Sequence, residues 1–172
     1  MTVMPAVASS LDELLSELSR NLWKQRGHIE LLQYRLEVQQ LIFAAAKEQR
    51  LQIAVEEVEA AMDELRRSER TRDTVVRRCA LTLGLAETAS LAELRDHVDE
   101  RWSALLAEHQ TALLGMVNET ESLAARNREL ALKGAHDTRS LMDAITGSAP
   151  STSYGPGLGR GLKAPTLIDR NV

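Results

Sequence analysis

The 172-residue sequence contains few aromatic residues, a single cysteine and no long hydrophobic run. Aromatic residues make up only 3% of a chain that is 44% hydrophobic, so Leu, Ala and Val carry most of the apolar surface. That composition is typical of packed helices and excludes β-sandwiches, which are rich in β-branched and aromatic side chains. The sequence therefore predicts an all-α fold.

The lone cysteine, Cys79, excludes an internal disulfide and a cysteine-based zinc site built within one chain. We expect it to be buried as a small hydrophobic residue. The longest apolar run, Leu41 to Ala46, is too short to span a membrane, and residues 1–10 lack the charge and apolar stretch of a secretory signal. We therefore expect a cytoplasmic protein without membrane insertion.

The net charge gives little reason to expect a nucleic-acid partner. Twenty-one Lys and Arg against 25 Asp and Glu leave a formal charge of −4, which does not concentrate anionic polymers or membranes. The arginine-rich stretch 66–78 is a local exception, but Glu64, Glu69 and Asp73 are spaced for pairing with these arginines along a helix. Glu69 and Arg72 fall on the apolar stripe, where they predict a partly buried polar contact.

Residue types that could support catalysis are present but do not form a constellation. The four histidines lie on different segments, and none forms a pair at helical ligand spacing. The acidic run 56–64 has no histidine beside it. The glycine-rich stretch 155–161 resembles a phosphate loop, but no strand precedes it and no helix follows. We therefore predict no enzymatic activity, metal site or cofactor.

Helix breakers are concentrated near the end of the sequence. Of nine Gly and four Pro, eight lie between Gly147 and Pro165, whereas no Pro occurs between Ala6 and Ala149. Residues 147–172 are rich in Gly, Pro and Ser, and predict a flexible tail that buries too little apolar surface to fold. We expect a flexible segment at 1–9, followed by a helical domain at 10–146.

Apolar residues recur at helical spacing along this domain. Ser10 with Glu13, and Ser90 with Glu93, have the spacing of a capping box, and Gly84 favours a helix end. The four predicted helices cover about 10–46, 50–83, 90–98 and 100–146.

The polar run 47–50 contains neither Gly nor Pro, so the pattern leaves two architectures open. A turn near Lys47 gives an antiparallel bundle of three long helices and one short helix, with a disordered C-terminal tail. A continuous helix over 10–83 would be roughly 110 Å long and would need a partner along its length, as in an elongated dimeric coiled-coil protein. We expect the bundle, because chains of this size more often fold back.

The last predicted helix, about 70 Å long, exceeds hairpin arms of about 50 Å. The stripe positions of this helix hold mostly apolar residues up to Leu123, but Asn127, Gly134 and Asp137 occupy stripe positions after it. We expect the distal half to overhang the bundle and to expose apolar residues, which makes it a candidate partner surface. Beyond it, Tyr154 is an aromatic residue with no core to enter, and is either idle or a docking anchor.

Several short motifs follow one another along the chain. They are the LxxLL of residues 11–15, Leu32-Gln33-Tyr34-Arg35-Leu36-Glu37, Glu56-Glu57-Val58-Glu59, Leu65-Arg66-Arg67-Ser68-Glu69-Arg70, Gly84-Leu85, Asn127-Arg128-Glu129-Leu130 and Tyr154-Gly155-Pro156. In this order they resemble the FlgN family of flagellar type III export chaperones, over about residues 10–157. Many members carry a glycine in the turn between the first two helices, where this chain has Ala44-Ala45-Ala46-Lys47.

The resemblance implies a helical chaperone that binds the C-terminal helical segments of the hook-associated proteins FlgK and FlgL, and delivers them to the export gate. It also implies that the last helix contacts the client and that a tyrosine near the C-terminus docks on the cytosolic domain of the gate protein FlhA. Tyr154 fits the docking residue. The implied client contacts are Leu123, Leu130, Leu141, Met142 and Ile145.

Overall fold

The computed structural model describes the backbone of residues 4–146 and the side chains of residues 10–146 other than Glu48. Within these residues the chain forms four α-helices and no strand, which confirms the all-α prediction. The predicted tail, 147–172, lies outside the described residues. The helices are α1 (Met4–Ala44), α2 (Glu48–Thr82), α3 (Leu91–Arg95) and α4 (Glu100–Thr146).

The first helix begins earlier than predicted. Because α1 starts at Met4, Ser10 lies inside the helix and does not cap it, and the segment expected to be flexible is helical from Met4 onward. Pro5 is compatible with this start, since the amides of a helix's first turn have no intrahelical acceptor. A capping-box spacing therefore permits a helix start without requiring one.

Residues 45–47 separate α1 from α2 and exclude a continuous helix over 10–83. Ala46 has a left-handed backbone, with φ of 49°. The amide of Ala46 donates to the carbonyl of Phe43 at 3.1 Å, and the amide of Lys47 donates to that of Ile42 at 3.2 Å. This pair of bonds is a Schellman motif, with alanine where glycine is usual.

Replacing Ala46 with glycine is expected to stabilise the protein by about 0.5–1 kcal/mol. The left-handed conformation costs an L-residue about 1–2 kcal/mol, and the greater freedom of glycine in the unfolded chain offsets part of the gain. Urea unfolding followed by circular dichroism measures the difference. Ala45→Gly is the matched control: its φ is not positive, so this variant should be destabilised, and equal effects of the two changes would contradict the expectation.

The link from α2 to α4 has the local structure that the sequence predicts. Gly84 has φ of 72° and completes a second Schellman motif, in which the amide of Leu85 donates to the carbonyl of Ala80 at 2.8 Å. Ser90 caps α3, since its Oγ accepts from the amide of Glu93 at 3.2 Å. The return bond from the amide of Ser90 to the Glu93 carboxylate, 2.7 Å long, lowers the pKa of that carboxyl.

The long helices alternate in direction, and α1 lies at the centre. α2 runs antiparallel to α1. In the residue pairs that join the two helices, a higher residue number on α2 always goes with a lower residue number on α1. α4 runs parallel to α1, whereas α2 and α4 have no Cα atoms within 8 Å of each other among the described residues. The pairs across α1 and α2 are Arg35 with Glu57, Gln25 with Arg72 and Glu17 with Arg78.

The core follows the predicted apolar stripes. Cys79 is fully buried, as predicted, and burial raises the pKa of its thiol to about 11. Arg72 is also buried, and its guanidinium donates to Gln25 Oε1 at 3.4 Å and to Asp73 Oδ1 at 2.8 Å. The largest fully buried apolar side chains are Leu15, Leu18, Leu22, Ile29, Leu32, Leu65, Leu94, Leu106 and Leu113.

Candidate functional site

Polar contacts hold α4 against α1 along the first half of its length. Trp102 is buried, and its indole Nε1 donates to Asp12 Oδ1 at 2.6 Å. About two helical turns further on, His109 Nε2 and Ser19 Oγ lie 3.2 Å apart. Burial of the imidazole, together with the nearby charge of Arg26, lowers the pKa of His109. The His109 ring is buried in the α1–α4 interface.

Asn127 forms the most distal of these contacts within the described residues. Its amide Nδ2 donates to the carbonyl of Leu36 at 2.8 Å and to Gln39 Oε1 at 2.9 Å, and the side chain is buried. A polar residue at such a stripe position fixes the register of packed helices at some cost in stability. Asn127 therefore marks the point at which α4 leaves the bundle.

Beyond this point no other helix of the described residues covers α4. Every residue from 131 to 146 is exposed, which confirms the expected overhang. We call these 16 residues the arm; at 1.5 Å per residue the arm is about 24 Å long. A helix that is exposed on all sides while carrying large apolar residues has an uncovered interaction surface.

The arm continues the face with which α4 packs on α1. Leu141 lies 18 residues after Leu123, and Ile145 lies 18 residues after Asn127, so five whole turns separate each pair and their side chains point the same way. Leu141 is 61% exposed and Ile145 71% exposed, whereas Leu123 and Asn127 are buried. Met142, 55% exposed, borders this face. The apolar face of α4 thus extends past the end of α1.

The structure changes the set of residues predicted from the sequence. Leu123 is only 5% exposed and belongs to the core, so its assignment as an accessible contact is wrong. Leu130 is half-buried where the arm begins, and Leu141, Met142 and Ile145 are exposed together on the arm. Tyr154 lies outside the described residues.

Sequence reasoning missed one exposed leucine of the arm. Leu132 is 67% exposed and lies nine residues before Leu141, which places it on the opposite side of the helix. Its exposure was not deducible from the apolar stripe, because Leu132 is not part of that stripe. It offers an internal comparison for any experiment on the arm.

The described residues contain no group of three or more His, Cys, Asp or Glu side chains that could hold a metal ion. Nor does any helix among them have the length and apolar character needed to cross a membrane. What the arm offers is a helical face for packing, with Leu141, Met142 and Ile145 as its large apolar side chains.

A sequence model described as FlgN protein matches residues 4–158, which include all four helices and continue past Tyr154. The chain belongs to the FlgN family. Membership implies a general role as a flagellar export chaperone, a binding role rather than an enzymatic one. No curated protein and no solved structure matches this FlgN chain.

Proposed function

We propose that this FlgN protein binds the C-terminal helical segments of the hook-associated proteins FlgK and FlgL in the cytoplasm, and delivers them to the export gate. The observation that carries the proposal is the continuation of the α4 packing face beyond Asn127, where α1 no longer covers it. A client helix would take the place that α1 occupies along the first half of α4.

The energy of such a contact comes from apolar burial. Each 100 Å² of apolar surface removed from water contributes about 2.5 kcal/mol before the cost of ordering the client. Gly134 and the alanines at 131 and 135 interrupt the larger side chains of the arm. Such small residues let two helix backbones approach closely, so an amphipathic helix can lie in a groove along the arm.

The chaperone action that follows needs no chemical step. In this proposal the client helix is packed on the arm and is therefore unavailable for assembly until it is released. Release then requires only that the client helix exchanges the arm for another partner at the gate.

Co-expression of the full chain with a tagged C-terminal segment of FlgK or FlgL tests the proposal directly. We expect a stable complex that survives size-exclusion chromatography, and a free FlgN protein that elutes as a compact monomer. If neither the FlgK nor the FlgL segment co-elutes with the chaperone, the proposal is refuted. Binding of only the N-terminal segments of these two proteins would refute it as well.

Tyr154 is proposed to dock the chaperone on the cytosolic domain of FlhA. Tyr154→Ala should weaken FlhA binding by at least about tenfold, because an aromatic anchor in an interface contributes about 2 kcal/mol or more. Calorimetric titration of the client-loaded chaperone with the FlhA domain measures the change. Client binding should be unaffected, and Tyr154→Phe should retain most of the FlhA affinity.

An unchanged affinity of Tyr154→Ala for FlhA would return this tyrosine to the idle interpretation. A loss of client binding in the same variant would instead place the tyrosine in the client site. The two measurements therefore separate the proposed docking role from a contribution to client recognition.

A further inference from the structure

The apolar face of the arm lies uncovered by any described helix when no client is bound. Leu141, Met142 and Ile145 fall within five consecutive residues, and each is more than half exposed. Clustered exposed apolar side chains of this kind mark an interaction surface. The chain itself continues for 26 residues past Thr146, where α4 ends. The stretch of protein nearest to this face is therefore covalently attached to it.

The large apolar residues of this C-terminal stretch are concentrated near its end. Residues 147–161 are mostly Gly, Ser and Pro, with Tyr154 and Leu158 as their only large aliphatic or aromatic side chains. Residues 162–168, which read Leu-Lys-Ala-Pro-Thr-Leu-Ile, have three in seven, and we call them the tail segment. The FlgN family match ends at residue 158, so family membership assigns no role to the tail segment.

The 15 residues between the arm and the tail segment have a length that brings the two together. A flexible chain rich in Gly and Ser spans about 5–6 Å times the square root of its residue number, which gives about 21 Å for residues 147–161. The arm is about 24 Å long. A tether whose span matches its target gives an effective concentration on the order of millimolar. Even a weak contact between tail segment and arm is then populated without a partner protein.

The tail segment also matches the apolar face of the arm in length. Pro165 has no amide hydrogen and excludes a helix interior at the centre of the segment, which favours an extended conformation. In that conformation Leu162 and Leu167 are about 17 Å apart, at about 3.4 Å per residue. Gly134 and Ile145 lie on the apolar face of the arm and are also about 17 Å apart along the helix. The two leucines can therefore contact opposite ends of this face.

The charges of the arm are compatible with this contact. Residues 131–146 contain as many Asp as Lys and Arg, so the arm does not repel the singly basic tail segment. Asp137 lies one turn before Leu141 on the same side of the helix, and forms no hydrogen bond or ion pair with another described residue. Lys163, next to Leu162 in the tail segment, has the charge that complements this carboxylate.

We infer that the tail segment packs on the apolar face of the arm in the free chaperone, where it covers Leu141 and Ile145 and leaves Leu132 exposed. A client helix would occupy the same face, so the tail segment competes with the client. The contact itself does not depend on the proposed function, whereas the competition rests on it. An arm covered by its own chain makes fewer unspecific apolar contacts until a client displaces the tail segment.

Disulfide formation in the full chain measures the contact without a client. Gly134 lies on the apolar face and has space for a Cβ atom, and His136 lies on the opposite side of the arm. Equilibration with glutathione should give Gly134→Cys with Ala164→Cys an effective thiol concentration at least about tenfold above that of His136→Cys with Ala164→Cys. Cys79 does not compete, because it is buried and the pKa of its thiol is raised to about 11.

Two serine substitutions in the tail segment serve as the matched variant. Leu167→Ser with Ile168→Ser, added to the Gly134 pair, should lower its effective concentration to that of the His136 pair, because the tether is unchanged and the apolar side chains are lost. Equal values for the two cysteine pairs, or no effect of the serines, would overturn the inference. A disulfide formed mainly between two chains would also overturn it, since the tail segment would then cover the arm of a second copy.

The competition with a client has its own measurement. Leu167→Ser with Ile168→Ser in the otherwise unchanged chain should raise the affinity for a FlgK or FlgL segment at least about threefold, because the client no longer displaces the tail segment. Val172→Ser, outside the tail segment, should leave this affinity unchanged. Equal affinities of the wild type and the double variant would overturn the competition. If no chain binds a client, the proposed function fails, and the disulfide measurement still decides the contact.

Discussion

Truncation of the chain after Glu129 is expected to abolish co-purification with a FlgK or FlgL segment while the bundle stays folded. The described contacts that anchor α4 to α1 end at Asn127, and the buried core ends at Leu123. Truncation there therefore removes the exposed arm and the half-buried Leu130, but no residue of the buried core. Circular dichroism should show a melting temperature within a few degrees of that of the full chain.

Because truncation also removes residues 147–172, two point variants of the full chain are needed beside it. Leu141→Asp with Ile145→Asp should lower client affinity at least about 100-fold, since each apolar side chain contributes about 1.5–3 kcal/mol when buried. Leu132→Asp, on the opposite side of the same arm, should have little effect. Both are exposed sites, so neither change should alter the melting temperature.

These variants can disagree with the proposal in two ways. Retained binding after truncation would place the client site elsewhere on the bundle. Equal losses from the two aspartate variants would show that the client surrounds the arm or that binding depends on its net charge. Only a loss confined to the face of Leu141 and Ile145 supports the replacement of α1 by a client helix.

Local sequence signals predicted the start of α3 at Ser90 and the end of α2 at Gly84, but not the start of α1, where Ser10 lies within the helix. Ser90 and Gly84 act as the sequence indicates, since the Ser90 hydroxyl accepts from the backbone amide of Glu93 and Gly84 has a left-handed backbone. Ala46 could not be predicted in this way. An alanine has no intrinsic preference for a left-handed backbone, and burial of the α1 and α2 stripes against each other holds it there.

The apolar stripes predicted which face of each helix is buried, but they did not predict which helices are neighbours. Nothing in the period of α4 indicates that it packs on α1 while remaining apart from α2. The boundary between the buried part of α4 and the arm is likewise set by contacts between helices and not by the pattern along α4. Leu123 and Leu141 occupy equivalent positions on the stripe, and only the end of the α1 contact at Asn127 makes one buried and the other exposed.

The exposure of Trp23 and Tyr34 could not be predicted from the sequence for a related reason. Trp23 and Tyr34 lie beside the α1 stripe, where a side chain is covered or exposed according to the position of the next helix. The structure places α4 near enough to contact Trp23 but leaves more than half of the indole uncovered. A pattern along one helix carries no information about the width of the gap to another.

The arm can act only while the rest of α4 is held on α1, and Trp102 is the side chain whose loss should weaken this attachment most. Trp102→Ala is expected to destabilise the protein by about 3–5 kcal/mol, because it removes the largest buried side chain at the start of α4. That is a large part of a typical total of about 5–15 kcal/mol. Urea unfolding followed by circular dichroism measures the loss.

Trp102→Phe separates the packing of the ring from its hydrogen bond. Phenylalanine keeps most of the apolar volume, and the carboxylate of Asp12 is exposed, so water can replace the lost indole N–H. We therefore expect a loss of only about 1 kcal/mol. If the two variants were equally destabilised, the hydrogen bond to Asp12 would be the main attachment. If Trp102→Ala lost client binding while remaining folded at the assay temperature, the arm would depend on an intact α1–α4 interface and would not act as an independent helix.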